Sequence, residues 1–182
     1  MTIEQIRPHL WHWSAPHPEW TPKNRGKSGL GWDQIVSSYA LIAEGAFVLV
    51  DPQVPEDEDD AAALWRALDA DVEGHGPPAI LITIRWHVRS APRIAERYEG
   101  TTIWAPKGEA RAIAKRVDYT DSYGTGDELP GGVRAHELAR FKEAALEVPA
   151  HNALVFGDIV LDGPRVCPPS WLPKGTTIEE LA

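Results

Sequence analysis

The sequence predicts an α/β fold, a sheet with helices packed against it, and three observations carry that expectation. An apolar run, Ala79 to Thr83, leaves a Gly-Pro-Pro turn and leads through a polar turn into a helix and a second strand. IVSSYALIA (35–43) and AFVLV (46–50) flank Glu44-Gly45, the pattern of two strands joined by a tight turn. Between these features, Ala61, Leu64, Trp65, Leu68 and Val72 recur at the spacing of an amphipathic helix.

In chain order, Ile3 to Trp13 alternates loosely and predicts a first edge strand. Ser14 to Trp32, rich in proline and glycine, predicts a long irregular loop. Asp51-Pro52 ends the second hairpin strand. The helix is expected over 55–72, with its acidic start at the positive end of the helix dipole. That start lacks the Gly and closing Glu of a calcium loop. A helix over 91–98 carries Pro92 in its first turn, where a missing N–H costs little, and Gly100 lies just past its end. Thr101 to Ala105, β-branched and aromatic, reads as a strand. A short helix follows over 107–116, then a loop over 119–132. Gly124-x-Gly126 in that loop lacks the strand, helix and Lys-Ser/Thr of a phosphate cradle. Strands are expected over 133–138, 144–148 and 153–156. At the end, Thr177 and Glu180 form a capping box for a last helix.

In an α/β sheet, ligands bind in the turns after the carboxyl ends of strands. The turn after the central strand holds Arg85, Trp86, His87 and Arg89, so the search for function begins there.

That central stretch, with its strand ending in Thr83, its helix SAPRIAERYEG and its strand ending in Ala105-Pro106, resembles the metallo-β-lactamase fold hydrolases. The likeness extends to VPAHNALVFGDIVL and spans roughly 37–162. It implies an αββα sandwich, here with a shortened C-terminal part, as a single domain over 1–182. In that family the strand is followed by His-x-His-x-Asp-His. With Thr83 aligned, those positions fall on Ile84, Trp86, Val88 and Arg89, and His87 falls on a spacer. Ile, Trp and Val side chains offer a metal no lone pair, and Arg stays protonated. Asp51 matches a strand-end Asp that orients a ligand in the family, or it simply caps the next turn. Asp158 matches the Asp that bridges metals. The Pro-Gly-His turn is replaced by LARFKE (138–143), and the strand with the final His ligand is missing. The resemblance therefore implies the fold and argues against the usual dinuclear site, and no cofactor is expected. A single zinc, iron or manganese held by His87, Asp158 and either His136 or His151 is the remaining metal alternative. A cluster of His12, His17 and Glu19 is another, without a second ligand pair at a recognised spacing.

Composition sets outer bounds. At 182 residues the chain is one domain by default, and its net charge of −9 gives no reason to expect nucleic acid or anionic membrane as partner. No apolar run reaches membrane-spanning length, the N-terminus lacks a signal-peptide pattern, and one cysteine fits a reducing, cytoplasmic setting.

Three functions remain open on the residues alone. An enzyme, by analogy a hydrolase, would use His87 as general acid or base with Asp158, and Asp51 as a further carboxylate, Arg85 or Arg89 binding an anionic group. A non-catalytic module would hold a small apolar or aromatic ligand against Trp86, Trp20 and Trp13, with His17 at the loop and an arginine for an acid group. An interaction protein would use the acidic run 56–60 or an exposed sheet edge, which favours a homodimer. The plain alternative for His87 is an exposed loop histidine, and for Trp86 a core residue.

Overall fold

The computed structural model describes residues 1–25, 31–138, 140–161, 165–168, 171 and 174. Its frame is a seven-stranded sheet whose strand order is the chain order. An N-terminal hairpin, β1 (Thr2–Arg7) and β2 (Leu10–Pro16), is followed by a second, β3 (Ile35–Ala43) and β4 (Ala46–Val50). Then β5 (Ala79–Leu81), β6 (Thr102–Pro106) and β7 (Asp121–Tyr123) continue parallel to β4. Parallel neighbours need crossovers, and helices supply them. They are α1 (Glu58–His75), α2 (Ala91–Arg97) and α3 (Ala110–Ile113). A smaller antiparallel sheet holds β8 (Glu128–Leu129), β9 (Val133–Leu138), β10 (Glu143–Val148) and β11 (Ala153–Val155), in the order β11-β10-β9-β8. The short strands β12 (Val160–Leu161) and β13 (Arg165–Val166) pair with each other.

Period-two alternation divides the large sheet between two cores. Ala40, Phe47, Leu49, Ile80 and Ile103 face the helices, meeting Leu64 and Leu68 of α1, Ile94 of α2 and Ile113 of α3. Leu41, Val48, Val50 and Leu81 face the small sheet, meeting Val133, Ala135, Ala144, Leu146 and Val148. At about 1.5–3 kcal/mol per fully buried large aliphatic or aromatic side chain, these two interfaces hold the layers together. The layers run helix, sheet, sheet, and no α-helix among the described residues covers the outer face of the small sheet.

Both hairpin strands, β3 and β4, fall where the sequence predicts them. Other boundaries move. The first edge strand is a hairpin, because the chain turns at Pro8-His9 with His9 at φ 63. The long loop begins after Pro16 rather than at Ser14, since β2 pairs with β3 as far as Ile35. α1 starts later, at Glu58, because the Asp57 side chain accepts from the Asp60 N–H and caps it there. The helix over 107–116 shrinks to α3. The loop over 119–132 contains β7 and β8, two strands too short for a periodic signal. The capping box at Thr177 and Glu180 lies outside the described residues.

Candidate functional site

The two sheets meet where the Ala144 N–H donates to the Thr83 carbonyl across 2.9 Å. Around that junction lie the carboxyl end of β4 with Asp51, the turn after β5 with Thr83 and His87, the start of β10 with Glu143, and the turn after β11 with Asp158.

Asp51 is buried and sits at φ 47, although the residue before a proline prefers extended backbone. Polar neighbours hold it there. Its Oδ1 accepts the Thr83 N–H at 2.8 Å, and its Oδ2 accepts the Thr83 hydroxyl. The Asp51 carbonyl takes the Ser38 hydroxyl and Arg89 Nη1, both at 2.9 Å. Arg89 is itself at φ 40, and Nη1 also reaches the Ser37 carbonyl at 2.6 Å.

His87 is the centre of the cluster. Residues 85–88 form a 3-10 turn, and His87 departs from it to φ −93, ψ 16, the sparsely populated bridge region. The ring turns inward and is 7% exposed, so it is not a solvent-exposed loop histidine. Nδ1 lies 2.8 Å from Asp51 Oδ2, and Nε2 lies 3.1 Å from Asp158 Oδ1. Burial and the charge of Arg89 oppose protonation of the ring, but the Asp51 and Asp158 carboxylates outweigh both and raise its pKa to about 9. Asp158 is affected in the opposite sense. Burial pushes its carboxyl up, and His87 more than offsets this, leaving it below the usual range.

Glu143 has no part in the sequence-based expectation. It is buried at the start of β10, and its carboxylate accepts the N–H groups of Gly157, Asp158 and Ile159 at 2.7, 2.9 and 3.0 Å. It thereby fixes the turn that presents Asp158. Burial pushes its carboxyl up to about 7, against the pull of those N–H bonds. Gly157 is required for close approach here: a Cβ would lie 2.7 Å from Thr83 Oγ1 and 3.0 Å from Glu143 Cδ. A charged residue opening an apolar strand, EAALEV, is the one signal that could have singled out Glu143.

The other candidates scatter. Asp51 does more than cap a turn, since it holds Thr83 and His87. Arg89 is committed to carbonyls of its own chain rather than open for a substrate. Trp13 is buried in the helix-side core rather than beside Trp86, with its indole N–H donating to the Gln53 carbonyl. Trp20 donates to the Trp32 carbonyl within the long loop. His17 packs edge-on against Trp32, and burial, then Arg89, lowers its pKa. Trp86 is 55% exposed and not a core residue. The Arg85 guanidinium lies 4.6 Å from its ring centroid and that of Arg116 5.7 Å, within cation–π range. Arg85 also pairs with the buried Glu109 at 3.1 Å. A cavity of about 270 Å³ lies elsewhere, lined by Trp11, Trp13, Leu64 and Asp71 among others.

The donor set does not fit a metal ion. Among the described residues no group of three or more His, Cys, Asp or Glu could hold one. His136 pairs with Glu147 and His151 with the Ile42 carbonyl, so neither joins His87 and Asp158. His12 lies against Ser37, and His17 accepts from the Glu19 N–H, which leaves no His12–His17–Glu19 cluster. Both His87 nitrogens face carboxylates and offer no lone pair outward.

No protein-family profile and no curated protein matches the sequence. Solved structures do match in fold. The DIM-1 metallo-beta-lactamase aligns over 88% of this chain and 71% of its own, at 13% identity and a TM-score of 0.61. A metallo-beta-lactamase from Hirschia baltica aligns over 89% and 73%, at 13% identity and 0.61. A metallo-beta-lactamase family protein from Thermus thermophilus aligns over 89% and 64%, at 17% identity and 0.60. The fold is that of the metallo-β-lactamases, as the resemblance implies. No helix among the described residues is long and apolar enough to cross a membrane.

Proposed function

We propose that this chain is a metallo-β-lactamase-fold, hydrolase-like protein that has lost the dinuclear metal site and binds a small aromatic acid. The observation that carries the reading is Trp86, an exposed ring flanked by Arg85 and Arg116 beside the turn where such folds hold ligands. An aromatic face supplies contact area, and the guanidinium groups supply donors for a carboxylate. His87 supports binding over turnover. A general base needs a free lone pair, and both ring nitrogens are taken. Binding on this face requires no cofactor, and the reading places the protein in the cytoplasm, where Cys167 stays a free thiol.

One observation favours hydrolysis as the second reading. The Asp158 side chain is 40% exposed while touching His87 Nε2, so a carboxylate of the cluster reaches solvent. Titration calorimetry with indole-3-acetate and salicylate separates the two, alongside an ester and β-lactam turnover assay. Binding predicts saturable heat that Trp86→Ala weakens about tenfold, or about 1.4 kcal/mol. Turnover that vanishes in Asp158→Ala, with the fold intact, would replace it with the hydrolase.

A further inference from the structure

The resemblance would put a metal ion beside the Asp158 position, with the strand-end Asp beneath it, yet the residues here do not fit one. What joins the two acids instead is a side chain. Asp51 Oδ2 and Asp158 Oδ1 are bridged by the two nitrogens of His87, at 2.8 and 3.1 Å. We propose that doubly protonated His87 is the fixed cation of this site, a positioning residue that ties Asp51 of the large sheet to the Asp158 turn beside the small one.

The hydrogen-bond inventory supports this. Ionised carboxylates only accept, so each short contact to a ring nitrogen needs a hydrogen on that nitrogen, and only imidazolium carries both. Each acid is also held by a contact other than the ring, Asp51 through its side chain and Asp158 through its backbone. Thr83 binds Asp51 through its N–H and hydroxyl, and Glu143 anchors the backbone of the Asp158 turn. The ring is thus placed between two groups that the fold orients independently. Asp51 and Asp158 face two cations, His87 and Arg89, with Glu143 as a further acid at the turn, and burial and Arg89 hold His17 toward its neutral form. A divalent cation would have to displace the ring proton and two charge-assisted bonds. The inference stands whether or not Trp86 binds a ligand.

Two measurements test it. Nitrogen-15 NMR of the full chain at pH 7 is expected to show both His87 ring nitrogens protonated. In His87→Gly, imidazole is expected to raise Tm by several degrees, through mass action on the folded state, and thiazole, a neutral ring of the same shape, is not. A bare, unprotonated His87 nitrogen in the native protein would overturn the proposal, as would equal rescue by thiazole. If His87→Gly does not fold, the spectrum of the native protein alone decides.

Discussion

Glu143 grips the turn that carries Asp158, its carboxylate taking the Asp158 N–H at 2.9 Å and the N–H groups on either side. The charged edge of the site is therefore held by a buried acid one strand away. Glu143→Ala removes the acceptor from three backbone donors. The expected loss is about 3 kcal/mol or more, since each orphaned buried group costs about 1–3 kcal/mol. Glu143→Gln keeps one acceptor oxygen and is expected to lose roughly half as much. Urea unfolding of the two variants measures both, and equal stability of Ala and wild type would show that the turn holds itself.

Gly157 permits that grip. Gly157→Ala places a Cβ within 3.0 Å of Glu143 and closer still to Thr83, so one of them must move. The expected cost is about 1–3 kcal/mol. It should couple strongly to Glu143→Ala in a double-mutant cycle. Additive losses would place the two residues in separate roles.

Stability should decline as pH rises above the mildly acidic range. His87 is raised to about 9 in the fold from 6.5, so its contribution is complete below 6.5 and is lost as pH climbs through 9. At about 1.4 kcal/mol per pH unit this amounts to about 3 kcal/mol. Glu143, raised to about 7 by burial, acts in the same direction between 4.5 and 7. Asp158, held low by His87, loses its contribution only in acid. The groups facing His87 are Asp51, Asp158, Arg89, His17 and Glu143. Denaturant titrations at pH 6 and pH 10 should differ strongly in wild type and much less in His87→Gln. A flat wild-type profile across that span would contradict the charged bridge.

Trp86→Ala should leave the fold nearly unchanged, within about 0.5 kcal/mol, because an exposed side chain contributes little to the core. Loss of aromatic-acid binding with an unaltered Tm is therefore the expected pair of results. A large drop in Tm would recast Trp86 as structural.

Much of the frame was legible because its signals are local. The β3–β4 turn at Glu44-Gly45, the apolar stripe of α1 and the Gly-Pro-Pro entry to β5 each announce an element within a few residues. Elements without a period were not legible. A turn at His9 with a positive φ has no glycine to mark it, and β7 and β8 are held by their neighbours in the sheets. The site divides in the same way. His87 and Asp158 came from the turn and the family pattern, but they are far apart in sequence, and only the joining of the two sheets near Thr83 makes them touch. Alignment puts His87 on a spacer, and Asp51 then loses the ligand it would orient. The backbone at φ −93, ψ 16 swings that spacer inward and returns to Asp51 a ring to hold. Glu143 was missed because its partners are backbone N–H groups, which no side-chain pattern reveals.

The central claim, that a histidine bridge stands where the fold family holds metal, is tested most directly by elemental mass spectrometry. The protein should be purified without affinity tag or chelator, alongside Asp158→Ala. No stoichiometric zinc, iron or manganese is expected in either protein. Near-stoichiometric metal in the native chain that disappears in Asp158→Ala would contradict it, and would make a mononuclear hydrolase the better description.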